Sequence, residues 1–218
     1  MNIPASALII VGTAVTAVAS YVVGVRTQLY RPSIQPRDGA FSIWGLIFAS
    51  LIASGIALLY SEQSLLPSIF CFMSLAFCTL WLFIANTKFA TYALNFACVF
   101  ACASSLMLNY TQSFPDLIVL IGPNILFSWL TLASALGFVI HLKEFWNISE
   151  QDWMLIPFLA FNISISFVNV VRGSFPSTLV TIFPLLWTAL FSSKSWIFVA
   201  TALVEIGFLV GFQLFSCE

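Results

Sequence analysis

Charged residues in this chain are confined to short gaps, and the gaps separate eight long apolar runs. The runs are Ala5–Val25, Phe41–Tyr60, Leu66–Ala85, Ala90–Tyr110, Leu117–Leu142, Trp153–Val171, Thr178–Ser192 and Trp196–Phe215. Among seven Lys/Arg and eight Asp/Glu side chains, only Glu205 falls inside a run. Each run is continuous. A β-barrel strand would instead alternate apolar and polar positions over about 10 residues. The hydrocarbon core of a bilayer needs roughly 20 apolar residues per helical crossing. The pattern therefore predicts an all-α, polytopic transmembrane helical bundle of about eight spans, with the lipid bilayer as its first partner.

Composition agrees with that pattern. Only 7% of residues are charged, against about 25% in soluble domains. The runs fill nearly the whole chain, which leaves no room for a soluble domain. The net charge of −1 excludes a nucleic-acid partner. Lys and Arg give the expected orientation. Arg26, Arg31, Arg37, Lys88, Lys143 and Lys194 all fall in odd-numbered loops, and only Arg172 falls on the other side. An integral, multi-pass membrane protein with both termini non-cytoplasmic is expected. The first run lacks a basic leader and exceeds the length of a signal-peptide core, so it reads as a retained helix.

Cys71, Cys78, Cys98 and Cys102 lie inside spans three and four without His or carboxylate companions. They read as small packing residues, and no metal site is expected. The gap from Arg26 to Ala40 contains Pro32 and Pro36, which stiffen it into an ordered cap. The gap from Lys143 to Asp152 carries Trp146, which with Trp153 fits an interfacial aromatic belt.

Phe41, Trp44, Gly45 and Phe48 recur at helical spacing and form one stripe at the head of span two. Gly45 would admit a helix or a flat ligand beside the Trp44 ring. Two readings stand for this stripe: a ligand face, or packing against neighbours and lipid.

The segment Ala40-Phe-Ser-Ile-Trp-Gly-Leu-Ile-Phe48 resembles the second-helix signature of the tryptophan-rich sensory protein family (the TspO/translocator protein, or peripheral benzodiazepine receptor, group). Phe77-Cys-Thr-Leu-Trp81 is similar to that family's third-helix motif, and Pro123 through Trp129 to Ala133 to its fifth. Arg172, Leu179 and Trp187 fall in a segment that resembles the longer relatives. Phe48 stands where the family commonly has Tyr, and Asn124 follows Pro123 where it has Tyr. The resemblance implies a five-helix core over residues 1–142, a pocket closed by the first loop, and an additional three-helix membrane extension over 143–218. Family members bind tetrapyrroles such as protoporphyrin IX and haem, and sterols in the mitochondrial branch. Some bacterial members are reported to promote porphyrin breakdown. By that resemblance Trp44, Trp81 and Trp129, with Phe41, Phe48 and Pro123, would contact a hydrophobic small molecule. Arg31 or Arg37 would meet propionate carboxylates. Porphyrin or haem enters as a ligand, not as a fixed cofactor.

Glu205 lies outside the resemblance. An intramembrane carboxylate is expected to face protein, and Asn162, Asn169 and Asn95 are available to hydrogen-bond it. It reads either as a proton or ion relay or as a structural hydrogen-bonding group. His141, the only histidine, falls at the end of span five and reads as interfacial rather than as a haem ligand. No catalytic motif is visible: Gly-x-Ser-x-Gly, the phosphate loop and His-Glu-x-x-His are all absent. Three functions remain open. The chain is a binding, sensing or transport protein for a planar hydrophobic ligand, a transporter or channel coupled through Glu205, or a non-catalytic subunit of a membrane complex. A homodimer or complex partners fit any of them.

Overall fold

In a computed structural model, eight α-helices account for almost all of the described residues, and no strand occurs among them. The structure describes residues 2–23, 38–85, 87–108, 114–148, 156–171, 175–192 and 195–216. The helices are α1 (Ile3–Val23), α2 (Ile43–Ala57), α3 (Leu65–Ile84), α4 (Ala90–Met107), α5 (Phe114–Trp146), α6 (Ile156–Val171), α7 (Phe175–Phe191) and α8 (Ser195–Ser216). Single 3-10 turns flank α2 at Asp38–Ser42 and Leu58–Tyr60. Each predicted run contains one helix. Five segments are long and apolar enough to cross a membrane: Ile3–Val23, Gly39–Tyr60, Leu65–Ile84, Ala90–Met107 and Pro115–Trp146. The apolar parts of the last three helices are shorter, at Leu159–Val168, Leu179–Phe191 and Trp196–Phe212. The five long apolar helices mark an integral membrane protein.

The first five helices close into a ring, in which α1 touches α2 and α3, α3 touches α4, and α5 joins α4 to α2. Helices α6, α7 and α8 contact one another, and α6 and α7 also pack on α5. Thus α5 is a wall common to both groups.

Helix association in lipid gains little from the hydrophobic effect, because acyl chains are as apolar as leucine. Small residues and interhelical hydrogen bonds take its place. The seams here follow that rule. Thr16 Oγ1 donates to Leu75 O at 3.2 Å between α1 and α3. Ser74 and Ser104 cross the α3–α4 seam to Ala97 O and Pro67 O, both at 2.8 Å. Thr91 donates from α4 to Gly137 O on α5 at 3.0 Å, and Ser134 returns a bond to Leu94 O at 3.2 Å. Cys71, Cys78, Cys98 and Cys102 are buried and unbridged within these seams.

Helices α2 and α5 approach each other backbone to backbone. A Cβ at Gly122 would lie 2.8 Å from both Leu51 Cα and Ser54 Oγ. Ser54 uses this proximity. Its hydroxyl accepts from Gly122 N–H at 3.1 Å and donates to Ile118 O at 3.0 Å. Those two groups stand four residues apart, the spacing of an ordinary helical bond, so the Ser54 hydroxyl sits within the α5 backbone ladder. The next residue is Pro123, which has no N–H to offer. A helix interrupted in this way is tolerated in a membrane when a neighbour satisfies the freed groups.

Helix α5 is longer than its apolar run. It starts before Asp116 and continues through Lys143 to Trp146, positions that the charge pattern assigned to loops. Asp116 is buried in the first turn and accepts from the Ser61 hydroxyl, and an acid there complements the helix N-terminus. At the other end Lys143 complements the C-terminus. Asn147 then adopts a left-handed conformation (φ 50°) and the Ile148 N–H bonds back to Leu142 O at 3.0 Å.

Gly122→Ala is expected to force α2 and α5 apart and to cost about 1–3 kcal/mol, as overpacked sites do. A Cβ at Gly207 would meet nothing within 4 Å, so Gly207→Ala should melt at or slightly above the parent temperature. Thermal unfolding in detergent tests both. A Gly122→Ala protein as stable as the parent would rule out the close approach.

Candidate functional site

Rings from three separate parts of the chain converge at the head of α2. Phe41 closes the 3-10 turn before α2, Trp44 opens α2, Trp81 ends α3 and Trp129 lies midway along α5. All four line one cavity of about 60 Å³, together with Leu94 and Ala133. Trp129 is buried and anchors the group. Phe41 meets it edge-on at 5.9 Å between ring centroids, and Trp44 does so at 6.4 Å. Edge-to-face contacts suit the ring quadrupoles.

The turn that carries Phe41 is held from outside the five-helix ring. Trp187 on α7 donates its indole N–H to Ala40 O at 3.2 Å. The Phe191 ring covers Gly39, where a Cβ would come within 2.7 Å of it. Ser42 closes the turn by donating to Gly39 O at 2.7 Å. The C-terminal end of α7 therefore lies beside the start of α2.

Binding sites for small molecules usually occupy about 300–1,000 Å³. A cavity of about 60 Å³ is a closed junction of rings, not an open pocket. Trp129 is locked in the core, whereas Phe41, Trp44 and Trp81 are half-buried. A larger apolar groove of about 420 Å³ lies between α6 and α8. Its rim residues Ile156 and Trp196 are exposed, so it opens outward, the position of a lipid-facing groove.

A second cavity of about 40 Å³ adjoins the first and shares Trp81, Gly137 and Ile140 with it. Its lining is more polar and includes Thr87, Thr91, His141 and Glu144. His141 departs from its expected place at a helix end. Because α5 continues to Trp146, His141 sits more than a turn inside the helix and is buried. Its Nε2 accepts the Trp146 indole N–H at 3.1 Å, and Tyr92 and Phe145 flank the ring. Its Nδ1 is buried with no hydrogen-bond partner among the described residues.

Glu205 forms the other polar centre. It is fully buried where α6, α7 and α8 meet. Asn162 Nδ2 donates to Oε1 at 2.8 Å, and Ser166 Oγ donates to Oε2 at 2.9 Å. Thr181 Oγ1 lies 3.4 Å from Oε2 and 3.1 Å from Ser166 Oγ. On the α5 side, Ser128 donates to Thr181 O at 2.6 Å. Asn162 and Ser166 are one helical turn apart, which points both at the same carboxylate.

The remaining expected site residues are dispersed. Phe48 stacks obliquely on Trp44 at 5.4 Å but does not line the cavity. Gly45 is exposed, and no helix comes within 4 Å of where its Cβ would stand. Pro123 is buried and does not line the cavity. Asn95 is on α4, away from Glu205. Arg31, Arg37 and most of the first gap lie outside the described residues, as do Arg172 and the Asn169 side chain. Sequence reasoning passed over Ser128, Ser166 and Thr181, and it gave Trp187 no role beside the aromatic cavity. The only available signal was the i, i+4 spacing of Asn162 and Ser166.

Removing the carboxylate should leave its donors unmatched. At roughly 0.6 kcal/mol per interhelical bond, Glu205→Leu is expected to cost about 2 kcal/mol in a detergent melt. Glu205→Gln keeps an acceptor and should cost less. Equal stability for parent and Glu205→Leu would show that the three bonds contribute nothing. No protein-family model, curated protein or solved structure matches this chain.

Proposed function

We propose that the chain is a membrane-embedded binding protein for a planar hydrophobic ligand, a tetrapyrrole or sterol-like lipid, held among the α1–α5 helices beneath the first loop. One observation carries this reading: Phe41, Trp44, Trp81 and Trp129, distant in sequence, line a single cavity. Stacking on such rings needs shape and polarizable surface but no catalytic group. The role is sensing, sequestration or transport, as the resemblance to tryptophan-rich sensory proteins also suggests. Residues 1–142 are the binding core and 143–218 the extension that braces it. An eight-crossing path with both termini non-cytoplasmic belongs to the same proposal. It is supported by the C-terminal end of α7 meeting the start of α2, since eight alternating crossings bring those two ends to one face.

Titrating the purified protein with protoporphyrin IX should quench tryptophan fluorescence saturably. Trp44→Ala and Trp129→Ala should each weaken the apparent affinity about tenfold or more, since stacking contributes roughly 1–3 kcal/mol per ring system. Unchanged titrations in both variants would overturn the reading.

A second reading is favoured by the buried Glu205 cluster. An intramembrane carboxylate with hydroxyl and amide partners on neighbouring helices suits a proton- or ion-coupled transporter. It calls for pH-dependent flux in proteoliposomes that disappears in Glu205→Gln. Equal flux in the variant and the parent would remove this function.

A further inference from the structure

We infer that His141 is the polar anchor of a ligand subsite that takes a neutral oxygen group, a hydroxyl or carbonyl, on an otherwise apolar molecule. The inference rests on the aromatic cavity being a binding site, and it specifies the chemistry at the far end of that cavity.

The argument starts from the protons on the imidazole. An indole N–H can only donate. Trp146 donates to His141 Nε2, so that nitrogen presents its lone pair and the neutral ring carries its proton on Nδ1. The Nδ1–H then points from a buried side chain with no acceptor among the described residues. Leaving a buried donor unmatched costs about 1–3 kcal/mol, so a site that does so is arranged for an acceptor that arrives from elsewhere.

The place for such an acceptor is present. His141 lines the cavity of about 40 Å³ that adjoins the ring-lined cavity along Trp81, Gly137 and Ile140. A molecule with its apolar body among the rings would place one end group beside His141. Glu144 decides what that group is. Its carboxylate lines the same cavity and would repel an anionic head, while it can accept a hydrogen bond from a hydroxyl. The hydroxyls of Thr87 and Thr91 are already turned to Ile84 O and Gly137 O, which leaves the His141 N–H and the Trp81 indole N–H as the side-chain donors of this lining. A hydroxyl accepts from Nδ1–H and donates to Glu144, and a carbonyl makes the first bond only. A carboxylate head is disfavoured.

Three probes with one flat body separate these cases: pyrene, pyrenemethanol and pyrenecarboxylate. Each is titrated into the full chain in nanodiscs, with energy transfer from tryptophan to pyrene as the readout and empty nanodiscs as the partition control. Pyrenemethanol should bind about 3- to 10-fold more tightly than pyrene, the range of one net hydrogen bond. Pyrenecarboxylate should bind more weakly than pyrenemethanol. His141→Phe should abolish the preference for the alcohol, and His141→Gln, which retains an N–H, should restore part of it. Glu144→Gln should raise the affinity for pyrenecarboxylate relative to pyrene, which tests the subsite without altering His141. Equal binding of pyrene and pyrenemethanol by the parent, or a preference that survives His141→Phe, overturns the inference. If pyrene itself shows no saturable transfer and Trp44→Ala changes nothing, the aromatic binding site fails first, and the two failures are thereby distinguished.

Discussion

The fold depends on one helix being satisfied on every side. Residues 122–132 of α5 are buried without interruption, so this stretch meets no lipid. Its polar side chains are distributed among its neighbours. Asn124 pairs with Ser105 on α4, Thr131 sits beside Cys98, Ser134 reaches Leu94 O, and Ser128 reaches Thr181 O on α7. Helices in lipid are held by such contacts more than by burial of apolar area. A helix with partners all round can order both a five-helix ring and a three-helix group around itself.

This arrangement also brings the two chemical centres close together. Trp129 belongs to the aromatic cavity, and the preceding residue, Ser128, bonds to the backbone of the residue that faces Glu205. Successive residues on a helix diverge by about 100°, so one turn of α5 addresses both centres from different sides. Helix α7 repeats the connection, since Thr181 touches the carboxylate cluster and Trp187 holds the turn that carries Phe41. The extension is therefore part of the architecture of the aromatic site.

Much of this architecture was legible because lipid restricts the possibilities. Continuous apolar runs can only be helices, and the eight runs correspond to α1 through α8. That Glu205 would have a polar partner was also legible, because a carboxylate at that depth needs one, but three asparagines stood open and Asn162 emerges only from the structure. The hydroxyl partners were not. Serine and threonine in these helices commonly bond back to their own backbone, as Thr13, Thr131 and Thr188 do, so the sequence does not distinguish an interhelical hydroxyl from a local one. The ends of α5 were misplaced for a different reason. Asp116 and Lys143 mark where apolar composition stops, but a helix continues past the apolar zone when its terminal charges match its dipole. The contact between Trp187 and Ala40 joins distant parts of the chain, and no local pattern encodes it.

The Ser54 hydroxyl has a mechanical consequence. Because it is threaded between Gly122 N–H and Ile118 O, α2 cannot shift along α5 without breaking two hydrogen bonds at once. Small rolling or tilting about that point preserves both. The seam acts as a pivot with its axial position fixed, some distance along α2 from Trp44. Any outward swing of the head of α2 is then a lever motion about Ser54, near the far end of that helix. The tether from Trp187 to Ala40 is the latch on the moving end.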